Sequence, residues 1–516
     1  MAMKVIDHMN ANLAIVGGGA AGVATFIAAV KRRAAGTIHI IDPRPVGPGI
    51  AFSNTDPDVI CNTSVDTMSV VSGHPLDFLD YLQSRGYAAT PSSFVPRSLV
   101  GDYLTDRFQR YREVARRNGI DVFCWAYQFH SLRIDDHHRY ELRLSRLTRR
   151  QSLIVTDVVF CTGHGAARVP EILMPHRDHP TFVGCPYPET EMLAKVPAKS
   201  RVLVIGSKLS AIDAAILLCR EGHSVTMVSP SGEIPGVRAR FIRSENISFD
   251  LDRMESLLTR WNDQAAGPCP TSLKYAYLKY AAQTLSENTR KPWRTQFSHA
   301  IPYDERLREE IAIAEQGDCS WQDMVVGFLH AANSVYLKNK ERFIGGLHPG
   351  FRDILHRYVT AIALANAEKL MRHIDNGALT IKRGELRHVA TSDAGYDQWL
   401  VDWGEGLQRF DAVVATTGYH FPYYVFNDAG ELEIDVEGSR PEQAIDISRD
   451  MAAHDPGLAD RESIWFVGPP AHMRLFVPNA LIIVAPLADQ VIVNMMDFFD
   501  YDRASDQRFS IPLKAS

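Results

Sequence analysis

Gly17, Gly19 and Gly22, with Asp42 beyond them, are the residues whose types and spacing point most directly to chemistry. In VGGGAAG the first glycine permits a sharp turn and the second lets backbone N–H groups approach a pyrophosphate. The third lets a helix pack closely on a strand. A helix beginning there turns the positive end of its dipole toward phosphate. Asp42 lies twenty positions past Gly22, where a carboxylate accepts hydrogen bonds from an adenosine ribose. The chemistry implied is dinucleotide binding.

A second set opens at Gly206 and continues through Ser207, Lys208 and Ser210. Lys208 stands where a middle glycine is expected and Ala211 where the third is, so the Lys208 ammonium is expected to assist the approach to a pyrophosphate. No acid follows; Ser229-Pro230-Ser231 takes its place. Arg238 and Arg240, with Arg243 close by, are the candidates for a 2′-phosphate. They favour NADPH over NADH, and the alternative is that these arginines are surface charges.

Each set needs a strand, a turn and a helix to hold it. Leu13–Val16 reads as a buried strand, followed by a helix through Val30 and a strand over 37–41. The pattern repeats as RVLVI, a helix reaching Gly222 and a strand over 224–228. Two such units predict an α/β chain with two dinucleotide-binding, Rossmann-like domains of the two-dinucleotide flavoprotein type. One would hold FAD and the other would deliver hydride to it. A helical insertion is expected at about 244–377, with one helical segment over 350–375 carrying Ile354, Tyr358, Ile362 and Ala365. The FAD-binding domain is expected over 1–195 and 385–516, and the NAD(P)H-binding domain over 196–384.

Between Asp42 and the helix signals near Pro75 lies a long stretch whose first part is rich in Gly, Pro, Asn and Ser. Loops of that length are usually functional. Gly49 would let backbone run close to a flat ligand, and Asn62 and Met68 would border an isoalloxazine ring; the alternative is a surface excursion held by its own turns. Residues 121–131 and 138–146 read as a hairpin and 153–161 as a buried strand ending at Gly163. Strands over 411–419 and 464–467 end at Gly418 and Gly468; at the first the chain is expected to cross back into the first domain, and the second, in a two-dinucleotide flavoprotein, would bring backbone N–H groups near the flavin's phosphate and pyrimidine edge. His164, beside Gly163, reads as structural before catalytic.

A formal charge of −6 gives no basic field, which argues against nucleic acid or an anionic membrane as the main partner. Seven scattered cysteines without a C-x-x-C pair argue for reduced thiols, a cytoplasmic setting and no redox-active disulfide. The start MAMKVIDHMN lacks the apolar core of a secretion signal. The apolar run over 475–488 is broken by Pro478 and Pro486, too short to span a bilayer. No metal site is expected.

The turn VGGGAAG, the stretch GPGIAFSNTDPDVICNTSVDTMS, the segment FVPRSLVGDYL, GSKLSAIDAA, GHSVTMVSPSG and the WQDMV helix together resemble the bacterial FAD/NAD(P)-binding oxidoreductases. A looser resemblance is to the flavin-dependent N-hydroxylating monooxygenases of ornithine, lysine, aspartate or diamines. It rests on DFLDYL, the PR…YL segment, both nucleotide folds and TTGY in place of ATGY. That resemblance implies FAD reduced by NADPH, O₂ as co-substrate and a small amine or amino acid as substrate. Oxygen transfer would pass through a flavin hydroperoxide, so no side chain need act as a strong acid or base. A reductase or dehydrogenase that never inserts oxygen, or a non-catalytic FAD-binding protein, uses the same folds and remains open; an oligomer is also open.

Overall fold

NLAIV is apolar on both faces, as suits a strand covered by helices on each side. It forms β1 (Asn12–Val16), four of whose five residues are buried. The computed structural model describes residues 8–135, 138–243, 247–262, 271–289, 291–317, 319–338, 349–392, 399–456, 458 and 462–509. From β1 the chain runs through α1 (Ala20–Arg32) to β2 (Thr37–Ile41), which lies parallel to β1. After the long loop come α2 (Asp77–Ser84) and α3 (Arg97–Arg117), and then β3 (Asp121–Trp125), which joins β2. A meander of β4 (Gln128–Ile134), β5 (Tyr140–Arg146) and β6 (Arg149–Val155) follows. Next, β7 (Asp157–Phe160) re-enters the first sheet beside β1.

This differs from the sequence reading in two places. Residues 121–131 divide between β3 of the parallel sheet and β4 of the meander. Residues 153–161 divide at Thr156, where largely exposed β6 gives way to wholly buried β7. The Thr156 hydroxyl marks the corner by accepting the Asn12 N–H at 2.8 Å.

The second unit begins with β8 (Phe182–Val183) and α4 (Glu189–Lys195). It then repeats the opening as β9 (Arg201–Ile205), α5 (Leu209–Arg220) and β10 (Ser224–Ser229). After β11 (Val237–Arg238) come α6 (Leu251–Asn262), α7 (Thr271–Asn288), α8 (Tyr303–Glu315), α9 (Val325–Lys338) and α10 (Pro349–Val359). The single helical segment expected over 350–375 is interrupted. Ile362 lies in β12 (Ile362–Ala363), which pairs with β11, and α11 (Leu364–Asp375) restarts beyond it. Helical spacing alone does not register such a break, because buried residues continue on both sides of it.

β13 (Leu379–Arg383) pairs with β10, and a second meander of β14 (His388–Thr391), β15 (Trp399–Asp402) and β16 (Gln408–Phe410) follows. β17 (Ala412–Ala415) then re-enters beside β9, as β7 does beside β1. Strand pairing therefore keeps the chain in the second unit from β8 to β17, past the boundary expected near 385. The return comes with β18 (Tyr423–Phe426) and β19 (Leu432–Asp435), which extend the first meander through β4. A ribbon of β20 (Asp446–Ile447) and β21 (Ala453–His454) precedes β22 (Ile464–Phe466), which closes the first sheet beside β7. The sheet orders are β22-β7-β1-β2-β3 and β13-β10-β9-β17-β8.

The last helix, α12 (Leu481–Phe509), packs on α1. Its window Leu481–Phe498 has mean hydropathy 1.6 and is long and apolar enough to cross a membrane, yet half of it is buried in the protein. Arg32 of α1 grips Asp489 of α12 with two bonds of 2.8 and 2.7 Å. The six described cysteines are free thiols; Cys269 lies outside the described residues.

Candidate functional site

The first cradle is made of backbone. Gly17 has φ +110°, and a Cβ there would sit 2.3 Å from the Cys161 carbonyl oxygen, so glycine is required both for the turn and for the approach of β7. Gly22 is equally constrained, since its Cβ would fall 1.9 Å from the Gly17 oxygen. Gly19 is different. Its φ of −77° suits any residue and a Cβ there would make an ordinary 3.4 Å contact with the Gly49 Cα, whereas Gly49 has φ +57° and its Cβ would lie 3.0 Å from the Gly19 Cα. The loop beyond β2 therefore folds back over the phosphate turn, tied by the Gly47 N–H donating to the Gly18 carbonyl at 2.9 Å. No side chain caps α1, so its first-turn N–H groups are left for an anion.

Asp42 is 7% exposed. Its carboxylate accepts the Gly18 N–H at 2.8 Å and the Arg44 N–H at 2.9 Å. Oδ1 also takes the Arg44 Nε–H at 3.4 Å, so the carboxylate shapes the turn and Oδ2 keeps a lone pair for a ribose hydroxyl. Of the other glycine turns, the one at Gly468 meets this cradle. A Cβ on Gly468 would lie 3.2 Å from the Ala21 Cβ, placing the end of β22 against the start of α1. Gly163 and Gly418 have φ of +77° and +87° with open space where a Cβ would be.

Asn62 is half-buried in a segment pinned to the entrance of α3, where the Cys61 N–H donates to the Val95 oxygen at 2.9 Å. Met68 is 4% exposed, and its sulfur accepts the Thr63 hydroxyl at 2.8 Å. His164, past Gly163, has its ring flanked by Tyr419 and Phe421, with centroids 5.8 and 5.3 Å away. The Asn479 amide donates to its Nε2 at 3.3 Å, which leaves the proton on a buried Nδ1 that has no partner. Burial lowers the His164 pKa, so the ring is neutral at pH 7. A glycine turn, an uncapped helix and an orphaned ring N–H suit a phosphate-bearing planar group such as FAD.

The second cradle repeats the geometry with other side chains. Gly206 has φ +127°, and a Cβ there would lie 2.5 Å from the Thr416 hydroxyl. Lys208 caps α5 with φ −99°, a conformation open to any residue, so it replaces the missing glycine without strain, its side chain partly reaching solvent while its Nζ end folds against the protein. The Lys208 Nζ lies 3.4 Å from the Glu233 carbonyl, and burial together with Arg357 lowers its pKa. Ser207 is 1% exposed, and its hydroxyl bonds the Ser229 hydroxyl at 2.8 Å and the Glu233 carbonyl at 2.7 Å. It fastens the strand ends together. Ser210 lies beside the Tyr187 hydroxyl.

The arginines expected at a 2′-phosphate are held elsewhere. Arg238 is 0% exposed and donates to the Tyr358 and Val359 carbonyls at 2.8 and 2.6 Å; desolvation pulls its pKa down to about 9. Arg240 is clamped on both oxygens of Asp323 at 2.6 and 2.5 Å, and Arg243 donates to the Asp66 carbonyl at 3.0 Å. β11 runs under the helical block and does not lie at the end of β10, so the reading of Arg238 and Arg240 as phosphate ligands is withdrawn.

Between the cradles lies a polar knot that sequence reasoning missed. Arg97 at the start of α3 pairs with Asp213 of α5 at 2.8 Å, and the Tyr187 hydroxyl donates to the same Asp213 oxygen at 2.5 Å. Desolvation raises the Asp213 pKa while Arg97 opposes it. The one signal was an acid inside the apolar run AIDAAILL. Nearby, the Tyr419 hydroxyl and the Cys185 sulfur are 3.1 Å apart.

Residues 14–165 match the protein-family model described as FAD-NAD(P)-binding. No curated protein sequence matches the chain. Among solved structures, the reduced form of an ornithine hydroxylase from Pseudomonas aeruginosa aligns with TM-score 0.56 at 13% identity, over 95% of this chain and 99% of that one. An L-lysine 6-monooxygenase from Pseudomonas syringae aligns with TM-score 0.53 at 16% identity, over 95% and 99%. A Kutzneria sp. 744 ornithine N-hydroxylase, in a form with FADred, NADP+ and L-orn, aligns with TM-score 0.52 at 14% identity, over 95% and 100%. The chain has the fold of the two-dinucleotide-binding flavoproteins.

Proposed function

We propose that this chain is an FAD-dependent, NADPH-oxidising monooxygenase that N-hydroxylates a small amine or amino acid. The observation that carries the reading is the pair of nucleotide cradles at the starts of α1 and α5, neither helix capped by a side chain, with the Arg97–Asp213 pair tying α3 of the first unit to α5 of the second. The match over residues 14–165 supports FAD in the first cradle. The likeness along nearly the whole chain to ornithine and lysine hydroxylases supports the reaction class.

Gly17, Gly19, Gly22 and Gly49 would hold the pyrophosphate of FAD, Asp42 its ribose, and the turns at Gly163, Gly418 and Gly468 the ring end. FAD, once reduced by NADPH, supplies the oxygen activation. The chain's own residues keep the junction dry and oriented. His164 stays neutral and offers its Nδ1–H, while the rings of Tyr419 and Phe421 cover its sides. A desolvated pocket of this kind lowers the pKa of a substrate amine, keeping its lone pair free to take oxygen.

The test is product formation. Purified protein supplied with FAD, NADPH and O₂ is screened across amines and amino acids for hydroxylamine. One substrate giving hydroxylamine in proportion to NADPH consumed supports the proposal. NADPH oxidation that yields no hydroxylamine with any of them would leave a reductase.

A further inference from the structure

β10 and β13 end side by side. Ser229 is in register with Arg383, and the Gly384 N–H donates to the Ser229 carbonyl at 2.9 Å. Just beyond these carboxyl ends is a cavity of about 390 Å³ whose lining includes Pro230, Arg383, Arg387, Trp403 and Gly404. In a βαβ nucleotide fold this is the place of the adenosine ribose. An acid there reads a 2′-hydroxyl and an arginine accommodates a 2′-phosphate. The turn after β10 has no acid, and the arginines come instead from the neighbouring strand's end.

Arg383 and Arg387 are exposed, and neither guanidinium has an ion-pair partner among the described residues. The Arg387 guanidinium lies against Gly404, where a Cβ would come within 3.1 Å of its Cζ; Gly404 has φ +107°. Trp403, 4% exposed, adds an independent sign: its buried indole Nε1–H has no acceptor. The acids on the same wall are Glu385 and Glu405, and Glu405 is paired with Lys382 at 3.0 Å. With the charge of Glu405 met by Lys382, the two arginines face the single carboxylate of Glu385.

We infer that Arg383 and Arg387 bind the adenosine 2′-phosphate of NADPH in this cavity and set the preference for NADPH over NADH. This rests on the proposed reading of the second cradle. Paired arginines suit a phosphate dianion because each presents two parallel N–H donors.

The probes are 2′,5′-ADP and 5′-AMP, titrated calorimetrically into the FAD-loaded full chain. The wild type is expected to bind 2′,5′-ADP about tenfold or more tightly than 5′-AMP. The Arg383→Ala/Arg387→Ala double variant, with unchanged FAD content and circular dichroism, is expected to lose that ratio. The Lys/Lys double variant should restore part of it. A double variant that still prefers 2′,5′-ADP overturns the assignment, as does a wild type with no preference. Wild-type flavin that neither NADPH nor NADH reduces is a separate result, because it removes the second cradle's function itself.

Discussion

At the residue scale, the same glycine pattern does two jobs that only coordinates separate. Gly17 and Gly22 are required by their own backbone contacts, whereas a Cβ on Gly19 would make only an ordinary 3.4 Å contact with Gly49, thirty residues along the chain. Gly19→Val should therefore fold but place a branched side chain at the uncapped start of α1, leaving protein with FAD affinity at least about tenfold lower, roughly 1.4 kcal/mol. Flavin absorbance per mole of purified protein measures this, and full FAD content would contradict it. Arg238 supplies the reverse case, a buried cation with no carboxylate against it. Arg238→Met should lower stability by no more than about 1 kcal/mol, or raise it, and leave NADPH affinity unaltered. Urea unfolding and a nucleotide titration report the two effects. Asp213→Ala removes the partner of Arg97 and should cost about 3 kcal/mol or more, seen as a lowered urea midpoint.

At the element scale, the loop after β2 is the hub between the two folds. Arg220 of α5 binds Asp56 and Asp58 at 2.7 Å each, and Lys369 of α11 binds Asp58 at 2.6 Å. The Asp56 pKa is lowered mainly by its bond to Arg220, and that of Asp58 mainly by its bond to Lys369. Lowered carboxylate pKa values mean the stabilisation is complete above the ordinary aspartate range. It is lost as pH falls through the still lower folded values. Because the pairs are partly exposed, each should contribute about 0.2–1 kcal/mol. Hydrogen exchange in 54–58 and α5 should therefore rise on acidification below that range, and Arg220→Ala should remove much of the pH response. An unchanged profile in the variant would contradict the latch.

Across the whole molecule, the parts legible in the sequence are those with local causes. Both βαβ units could be read because a buried strand, a glycine turn and an apolar helix are contiguous. The strands ending at Gly163, Gly418 and Gly468 were visible for the same reason. What escaped depends on distant pairing. β17 belongs with β9 rather than with the first unit, β12 interrupts a helix to meet β11, and Arg238 is buried although nothing near it in sequence marks the site. The Arg97–Asp213–Tyr187 knot and the Arg383–Arg387 cavity join residues far apart in the chain, which periodicity cannot register.

The central claim is that the two cradles serve one electron transfer. The direct measurement is the visible spectrum of the FAD-loaded protein, mixed with NADPH in the absence of oxygen. The account predicts a yellow protein whose flavin band bleaches on mixing and returns when air is admitted. Protein that takes up no FAD, or that keeps its full flavin band with NADPH and with NADH alike, would contradict it.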